Sequence, residues 1–161
     1  MIIITGLPCS GTCTLVSGLK QGGLSVSSWD EIKPAKIRKN LKEKICDEVN
    51  KVINKNNREC IEVPIIVIKK IEGQHKFILV ERNLNDTFTS MEKVFKKEPH
   101  KVLIELNLRE AKRYLKKEKK DVIYLDYNEL MHNPEIELEK IKNIIPDFDK
   151  AVIEVKLKSK K

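Results

Sequence analysis

The chain has 161 residues, 40% of them hydrophobic, which is enough to bury the core of a single domain without disulfides. Its formal net charge is +8, which suits an anionic ligand. It contains no apolar run of about 18 residues, the length a membrane-spanning helix needs, so no membrane partner is expected.

The first predicted strand and helix enclose a glycine loop. Ile2–Ile4 is a β-branched run of the length of a buried strand, and Gly6 and Gly11 follow it. From Thr12 the apolar spacing becomes helical and ends at Gly22-Gly23, a suitable C-cap. A strand, a glycine loop and a helix N-terminus in this order predict a phosphate site, because loop amides and the helix dipole both favour an anion.

The middle of the chain alternates between short strands and helices. In order, we predict a strand over Leu24–Ser28, a turn at Trp29–Glu31, a long amphipathic helix over Ile37–Ile53, and a strand over Arg58–Val63 that Pro64 ends. Ile65–Ile71 fits either a strand or a short helix, and residues 73–75 form a loop.

The second half continues the alternation. We predict a buried strand at Phe77–Val80, a helix with apolar residues from Leu84 to Phe95 capped by Asn83 or Asn85, a helix around Ile104–Leu115, a buried strand at Val122–Asp126, a helix starting at Pro134, and a basic tail over Pro146–Lys161 that frays. This pattern predicts an α/β fold, a parallel sheet flanked by helices, in one domain over residues 1–161. Ligands gather at the carboxyl ends of such strands, where Gly6, Glu62, Arg82 and Asp126 lie.

The spacing Gly6-x4-Gly11 is that of a P-loop, but Thr12-Cys13 stands where the usual Lys-Ser/Thr pair would be. Without that lysine a triphosphate-hydrolysing or kinase interpretation weakens. The residues Pro8, Ser10, Gly11 and Thr12 instead resemble the phosphosulfate loop of the sulfotransferase superfamily. That family loop binds the 5′-phosphate of 3′-phosphoadenosine-5′-phosphosulfate (PAPS). The resemblance therefore implies a cofactor-binding segment of Pro8, Cys9, Ser10, Gly11, Thr12, Cys13 and Thr14.

A second segment resembles the family's 3′-phosphate element. Arg82, Asn83 and Asp86 stand in its register, and Ser90 follows Arg82 by eight residues, as in the family. An arginine supplies a planar fork of donors and a serine hydroxyl one more, so the resemblance implies that Arg82 and Ser90 bind the 3′-phosphate. A third segment, Tyr124–Leu130 with Asn133-Pro134, resembles the family's closing strand and last helix. In a competing interpretation Asp126 is a Walker-B acid that binds Mg²⁺.

Together the three segments resemble a compact member of the sulfotransferase superfamily, which implies a P-loop NTPase-like three-layer sandwich and an enzyme that transfers a sulfuryl group from PAPS without a metal. Relatives place a base two residues before a proline, and Glu62 has that position; the alternative is a polar residue at a strand end. Cys9 stands at a catalytic position where relatives carry a cation. Two alternatives therefore remain, a catalytically weak module that binds adenosine phosphates and a small kinase-like P-loop enzyme.

The implied acceptor is a hydroxyl or amine on a small molecule, glycan or peptide. Nucleic acid is not expected, because few aromatic residues accompany the basic ones, and a homodimer is left open. The cysteines, Cys9, Cys13, Cys46 and Cys60, lack the spacing of a disulfide framework, and no charged leader precedes the first strand, so a cytoplasmic location is expected. At a helix start, amide dipoles are expected to lower the pKa of the Cys9 and Cys13 thiols.

Overall fold

A computed structural model describes residues 1–32, 50–51, 53, 59–145, 148–150 and 153–154. Most of the predicted amphipathic helix over Ile37–Ile53 and most of the predicted basic tail fall outside these residues. Of that helix, Asn50, Lys51 and Ile53 are described; they are helical, and Ile53 is buried.

The described strands form one parallel sheet in the order β2-β3-β1-β4-β5. The strands are β1 (Ile2–Gly6), β2 (Val26–Ser27), β3 (Cys60–Glu62), β4 (Lys76–Glu81) and β5 (Asp121–Asp126). The apolar β1 lies at the centre, and all five of its residues are buried, as expected of a parallel strand covered on both faces. Its carboxyl end therefore opens between the ends of β3 and β4.

Helices cover both faces of this sheet. They are α1 (Thr12–Gln21), α2 (Trp29–Ile32), a 3-10 helix (Ile65–Lys70), α3 (Leu84–Phe95), α4 (Lys101–Lys117), α5 (Tyr127–His132) and α6 (Pro134–Lys142). On one face Ile2 and Ile4 pack in a core with residues of α1 and α6. On the other face Ile3 packs with the 3-10 helix and α4, because successive side chains of a strand point to opposite faces. The three-layer α/β prediction is confirmed.

Local expectations needed correction in three places. Residues Trp29–Glu31 begin α2 rather than a turn. The strand predicted at Val122–Asp126 exists but is not buried: it is an edge of the described sheet, Leu125 is its one buried residue, and Tyr124 is 43% exposed. Phe95, expected on the packed face of α3, is 57% exposed because it ends the helix.

Two segments that the sequence left open are resolved. After Pro64 the chain forms the 3-10 helix rather than a strand. At the start of α3 the cap is Asn83, whose side chain accepts hydrogen bonds from the amides of Asn85 and Asp86. This cap fixes the chain immediately after Arg82. Within the described part of the chain, no helix is long and apolar enough to cross a bilayer.

Candidate anion-binding site

The loop between β1 and α1 is shaped by close backbone approaches. A Cβ added at Gly6 would lie 2.4 Å from Ser10 Oγ and 2.7 Å from the Val80 carbonyl oxygen, so a side chain has no room there. Two loop residues have left-handed backbone conformations, Cys9 with a φ of 62° and Gly11 with a φ of 103°. Gly11 adopts that conformation without the penalty that a Cβ brings.

The start of α1 carries backbone amides without an acceptor inside the helix. Gly11 is the N-cap of α1 and provides no side-chain cap, so the first-turn amides of Thr12 and Cys13 have no carbonyl acceptor within the helix. Two other amides of the predicted cofactor-binding segment have acceptors nearby: Ser10 donates to the Leu7 carbonyl and Thr14 to that of Gly11, both at 3.1 Å. The available positive dipole is therefore concentrated at the first turn.

Arg82 reaches this loop from the end of β4. Its Nη1 donates to the Cys9 carbonyl oxygen at 3.2 Å and to Ser90 Oγ at 3.1 Å. The parallel register explains the approach, because Gly6 pairs with Val80 and Arg82 follows two residues later. The two segments that the sequence marked as separate phosphate sites thus meet at one edge of the sheet.

Tyr127, a residue that the sequence analysis did not single out, packs against both Arg82 and the glycine loop. The Arg82 guanidinium carbon lies 4.9 Å from the centroid of the Tyr127 ring. The same ring packs on Gly11 so closely that an added Cβ would lie 2.0 Å from its Cδ2 atom. The one sequence signal for this role was its position, directly after the strand that neighbours β4.

Besides Thr5 Oγ1 in β1, two polar atoms in this region have no hydrogen-bond partner among the described residues. They are Ser10 Oγ, on a residue that is 1% exposed, and the buried Nε of Arg82. Buried polar groups are satisfied in the great majority of cases, so an unsatisfied pair in one site calls for an explanation. A bound anion that accepts from both groups supplies one.

Glu62 lies on the other side of the loop, at the end of β3. It is 7% exposed, its Oε2 accepts from the Trp29 amide at 3.2 Å, and its Oε1 lies 3.8 Å from Cys13 Sγ. It lines a cavity of about 380 Å³ together with Cys13, Val16, Ser17, Lys20 and Asp30. Because β1 lies between β3 and β4, Glu62 and Arg82 flank the glycine loop from opposite sides.

The thiols in the loop do not have the lowered pKa that the sequence suggested. Burial raises the pKa of Cys9, against the opposing effect of the Arg82 charge. Burial also raises the pKa of Cys13, and the negative charge of Glu62 adds to the increase. The expectation from amide dipoles was wrong for both residues, because desolvation raises the pKa of each thiol and, at Cys13, the adjacent carboxylate raises it further.

The remaining predicted loop residues have more ordinary places. Pro8 is exposed in the turn, Thr12 is buried at the first position of α1, and Thr14 is half-buried. Asp126, the proposed Mg²⁺ ligand, uses its side chain to cap α5 by accepting from the amides of Asn128 and Glu129. Across the described ranges no group of three or more His, Cys, Asp or Glu side chains is arranged to hold a metal ion.

Comparison with known proteins places this geometry in a wider fold group. No protein-family model and no curated protein matches the chain. Among solved structures, mouse sulfotransferase SULT7A1 complexed with PAP superposes with a TM-score of 0.62 at 18% identity, covering 99% of this chain and 64% of the mouse chain. The fold is that of sulfotransferases and P-loop kinase-like proteins.

Two further structures match over nearly their whole length. An unliganded sugar kinase from Janibacter sp. HTCC2649 superposes with a TM-score of 0.52 at 14% identity, covering 94% of this chain and 96% of the kinase. TT1252 from Thermus thermophilus has the same TM-score and identity, covering 89% of this chain and 94% of its own. At these identities the likeness concerns the fold, so the activity must be argued from the site.

Proposed function

We propose that this protein is a sulfotransferase that moves a sulfuryl group from PAPS to a hydroxyl or amine acceptor. The observation that carries the proposal is the double hydrogen bond of Arg82, which joins Ser90 to the carbonyl of Cys9 in the glycine loop. This contact supports the presence of two neighbouring phosphate-binding positions. A nucleotide with both a 5′- and a 3′-phosphate needs two such positions in one site. The mouse neighbour, which was crystallised with PAP, supports the same ligand class.

The residues present fit such a ligand. The start of α1 lacks a side-chain cap and offers the amides of Thr12 and Cys13 to a 5′-phosphate. Arg82 and Ser90 lie together where a 3′-phosphate would accept from both. Ser10 Oγ and Arg82 Nε are buried donors without protein partners among the described residues.

Each group has a distinct task in the proposed reaction. When bound, PAPS supplies the sulfuryl group. The first-turn amides of α1 stabilise the negative charge that grows on the 5′-phosphate as the group leaves. Arg82 and Ser90 hold the other end of the nucleotide, which fixes its orientation without taking part in bond changes.

Glu62 is the proposed general base. The cavity that Glu62 lines runs along α1 from Cys13 in its first turn to Lys20, and we place the acceptor in it next to the carboxylate. As the acceptor oxygen or nitrogen bonds to sulfur, its proton passes to Glu62. The same carboxylate accepts from the Trp29 amide, which holds it in place at the end of β3.

A second candidate function is binding of adenosine phosphates without efficient transfer, and Cys9 favours it. A cysteine side chain has no cationic form, so this position supplies no positive charge to the transferred group. Loss of one well-placed donor in an active site typically costs about 3 kcal/mol of transition-state stabilisation. The kinase-like alternative lacks both a loop lysine and a free Asp126 side chain.

Thermal unfolding in the presence of nucleotides separates these candidates by ligand class. PAP at about 100 times its Kd should stabilise the protein by about 2.7 kcal/mol, a rise in Tm of roughly 5–10 °C for a domain of this size. ATP with Mg²⁺ should give a clearly smaller shift, because no loop lysine meets its outer phosphates. An equal or larger shift with ATP and Mg²⁺ would favour the kinase-like alternative instead.

Replacement of Cys9 by lysine tests whether the missing cation limits turnover. We expect transfer from PAPS to rise about tenfold or more, because a lysine restores charge beside the leaving group. The backbone should accept the change, since Lys96 and Lys119 already have positive φ angles of 52° and 47°. Cys9→Ser is the matched control and should leave the rate unchanged. If neither form transfers the group while both bind PAP, the protein is a binding module.

A further inference from the structure

We propose that Glu137 is a positioning residue for the 3′-phosphate contact, acting through the junction of β5 and α5. This inference rests on the proposed function, because it concerns the geometry of Arg82 when that residue binds a phosphate.

Glu137 is a buried carboxylate that accepts a hydrogen bond from a backbone amide. It lies in α6, is 2% exposed, and its Oε2 accepts from the Asp126 amide at 3.1 Å. Its other oxygen pairs with Lys140 one turn further along the same helix. A carboxylate removed from water needs such partners on both oxygens, so its position is closely specified.

Asp126 is the point where the sheet becomes α5. As the last residue of an edge strand, its amide lacks a sheet acceptor on the open side, and Glu137 supplies one. Its own side chain caps α5 by accepting from the amides of Asn128 and Glu129 at 2.7 and 3.1 Å. The junction is therefore held from both sides, and the direction in which the next residue leaves is fixed.

That next residue is Tyr127, whose ring lies against both halves of the candidate site. It packs on Gly11 of the loop and lies 4.9 Å from the Arg82 guanidinium carbon. Arg82 in turn donates to Ser90 and to the Cys9 carbonyl. A displacement of Asp126 would reach the guanidinium through the ring. Gly11, which the ring also contacts, is held to α1 by the hydrogen bonds that its carbonyl accepts from the amides of Thr14 and Leu15.

The surroundings of Glu137 favour this role over a purely structural one. Its neighbours in α6, Leu138 and Ile141, are fully buried in the core beneath the sheet. An apolar residue would fill such a place without the desolvation cost of a carboxylate. Within the described ranges, the hydrogen bond that Glu137 makes outside α6 is to the Asp126 amide, immediately before Tyr127.

The test compares two ligands that differ only in the 3′-phosphate. Dissociation constants for PAP and adenosine 5′-monophosphate are measured by calorimetry for the wild type, Glu137→Ala and Glu137→Gln. Glu137→Ala should weaken PAP binding about fivefold to tenfold and change monophosphate binding less than twofold. Glu137→Gln should keep both affinities within about twofold of the wild type, because its amide oxygen accepts the same N–H. Leu138→Ala is the control for lost stability and should leave the ratio of the two affinities unchanged.

Each outcome bears on the inference. Parallel losses for the two ligands in Glu137→Ala, as in Leu138→Ala, would mean a structural role and overturn it. Suppose that the wild type prefers PAP, that Arg82→Ala loses this preference and that Glu137→Ala keeps it. This result would overturn the inference about Glu137 and leave the proposed function intact. If the wild type shows no preference for PAP over the monophosphate, both the inference and the proposed function are wrong. If Glu137→Ala does not fold, Glu137→Asp retains the charge but shortens the reach to the Asp126 amide. Glu137→Asp should also reduce the preference for PAP over the monophosphate, and an unchanged preference would contradict the inference.

Discussion

Replacement of Arg82 by alanine should remove the preference for PAP over adenosine 5′-monophosphate and lower PAP affinity about 10- to 100-fold. The side chain lies beside Ser90 at the end of β4 and retains a buried Nε with no partner among the described residues. Hydrogen bonds from a charged donor contribute about 1.5–3 kcal/mol each, and about 1.4 kcal/mol corresponds to a factor of ten. Calorimetry with both nucleotides measures the change directly.

Arg113→Ala provides the matched control for this substitution. It removes the same charge from α4, where the Arg113 side chain is 74% exposed, and it should leave both affinities within about twofold. The monophosphate should bind Arg82→Ala nearly as well as it binds the wild type, because the first-turn amides of α1 are unaffected. A preference for PAP that persists in Arg82→Ala would show that the 3′-phosphate has been assigned to the wrong residue.

The parts of this site that the sequence predicted were those set by local pattern and parallel topology. A β-branched run followed by glycines predicted β1 and the loop, and the strand ends then had to meet at one edge. Arg82 and Ser90 lie eight residues apart across a strand end and the first turns of a helix. Their approach was therefore predictable, and the structure has them 3.1 Å apart.

The parts that the sequence did not predict depend on packing between distant segments. Nothing in the sequence around Tyr127 shows that its ring contacts Gly11, since that contact depends on how β5 and α5 pack against a loop more than a hundred residues earlier. The same applies to the Cys13 thiol, whose pKa is raised by burial and by Glu62 from another strand. The edge position of β5 likewise follows from strand order, which periodicity alone does not give.

Glu62 shows how two interpretations of one residue can both be compatible with a structure. The sequence left open whether it is a base or a polar residue at a strand end. In the fold its Oε2 accepts from the Trp29 amide, and it also lines the cavity along α1. The Trp29 amide fixes one oxygen of this carboxylate, and the other lies 3.8 Å from Cys13 Sγ at the cavity, so the structural contact and the proposed role as a base are compatible.

Gly11→Ala should strongly destabilise the protein, with a loss of about 3 kcal/mol or more in the free energy of unfolding. Its φ of 103° is unfavourable for any residue with a Cβ, at about 1–2 kcal/mol. The added Cβ would also lie 2.0 Å from Tyr127 Cδ2, so the ring or the loop must move, and overpacking of this kind typically costs about 1–3 kcal/mol more. Denaturant unfolding measures the loss.

Gly23→Ala separates the two causes, because Gly23 also has a positive φ but no side chain lies against it. Gly23 has a φ of 93°, and nothing lies within 4 Å of the position where its Cβ would be. We expect it to lose only about 1–2 kcal/mol and to bind PAP normally. In Gly11→Ala, displacement of the Tyr127 ring should also disturb Arg82 and weaken PAP binding at least tenfold. Equal losses of stability in the two variants, with PAP binding preserved in both, would mean that the Tyr127 ring does not press on Gly11. Tyr127 would then not be part of the candidate site.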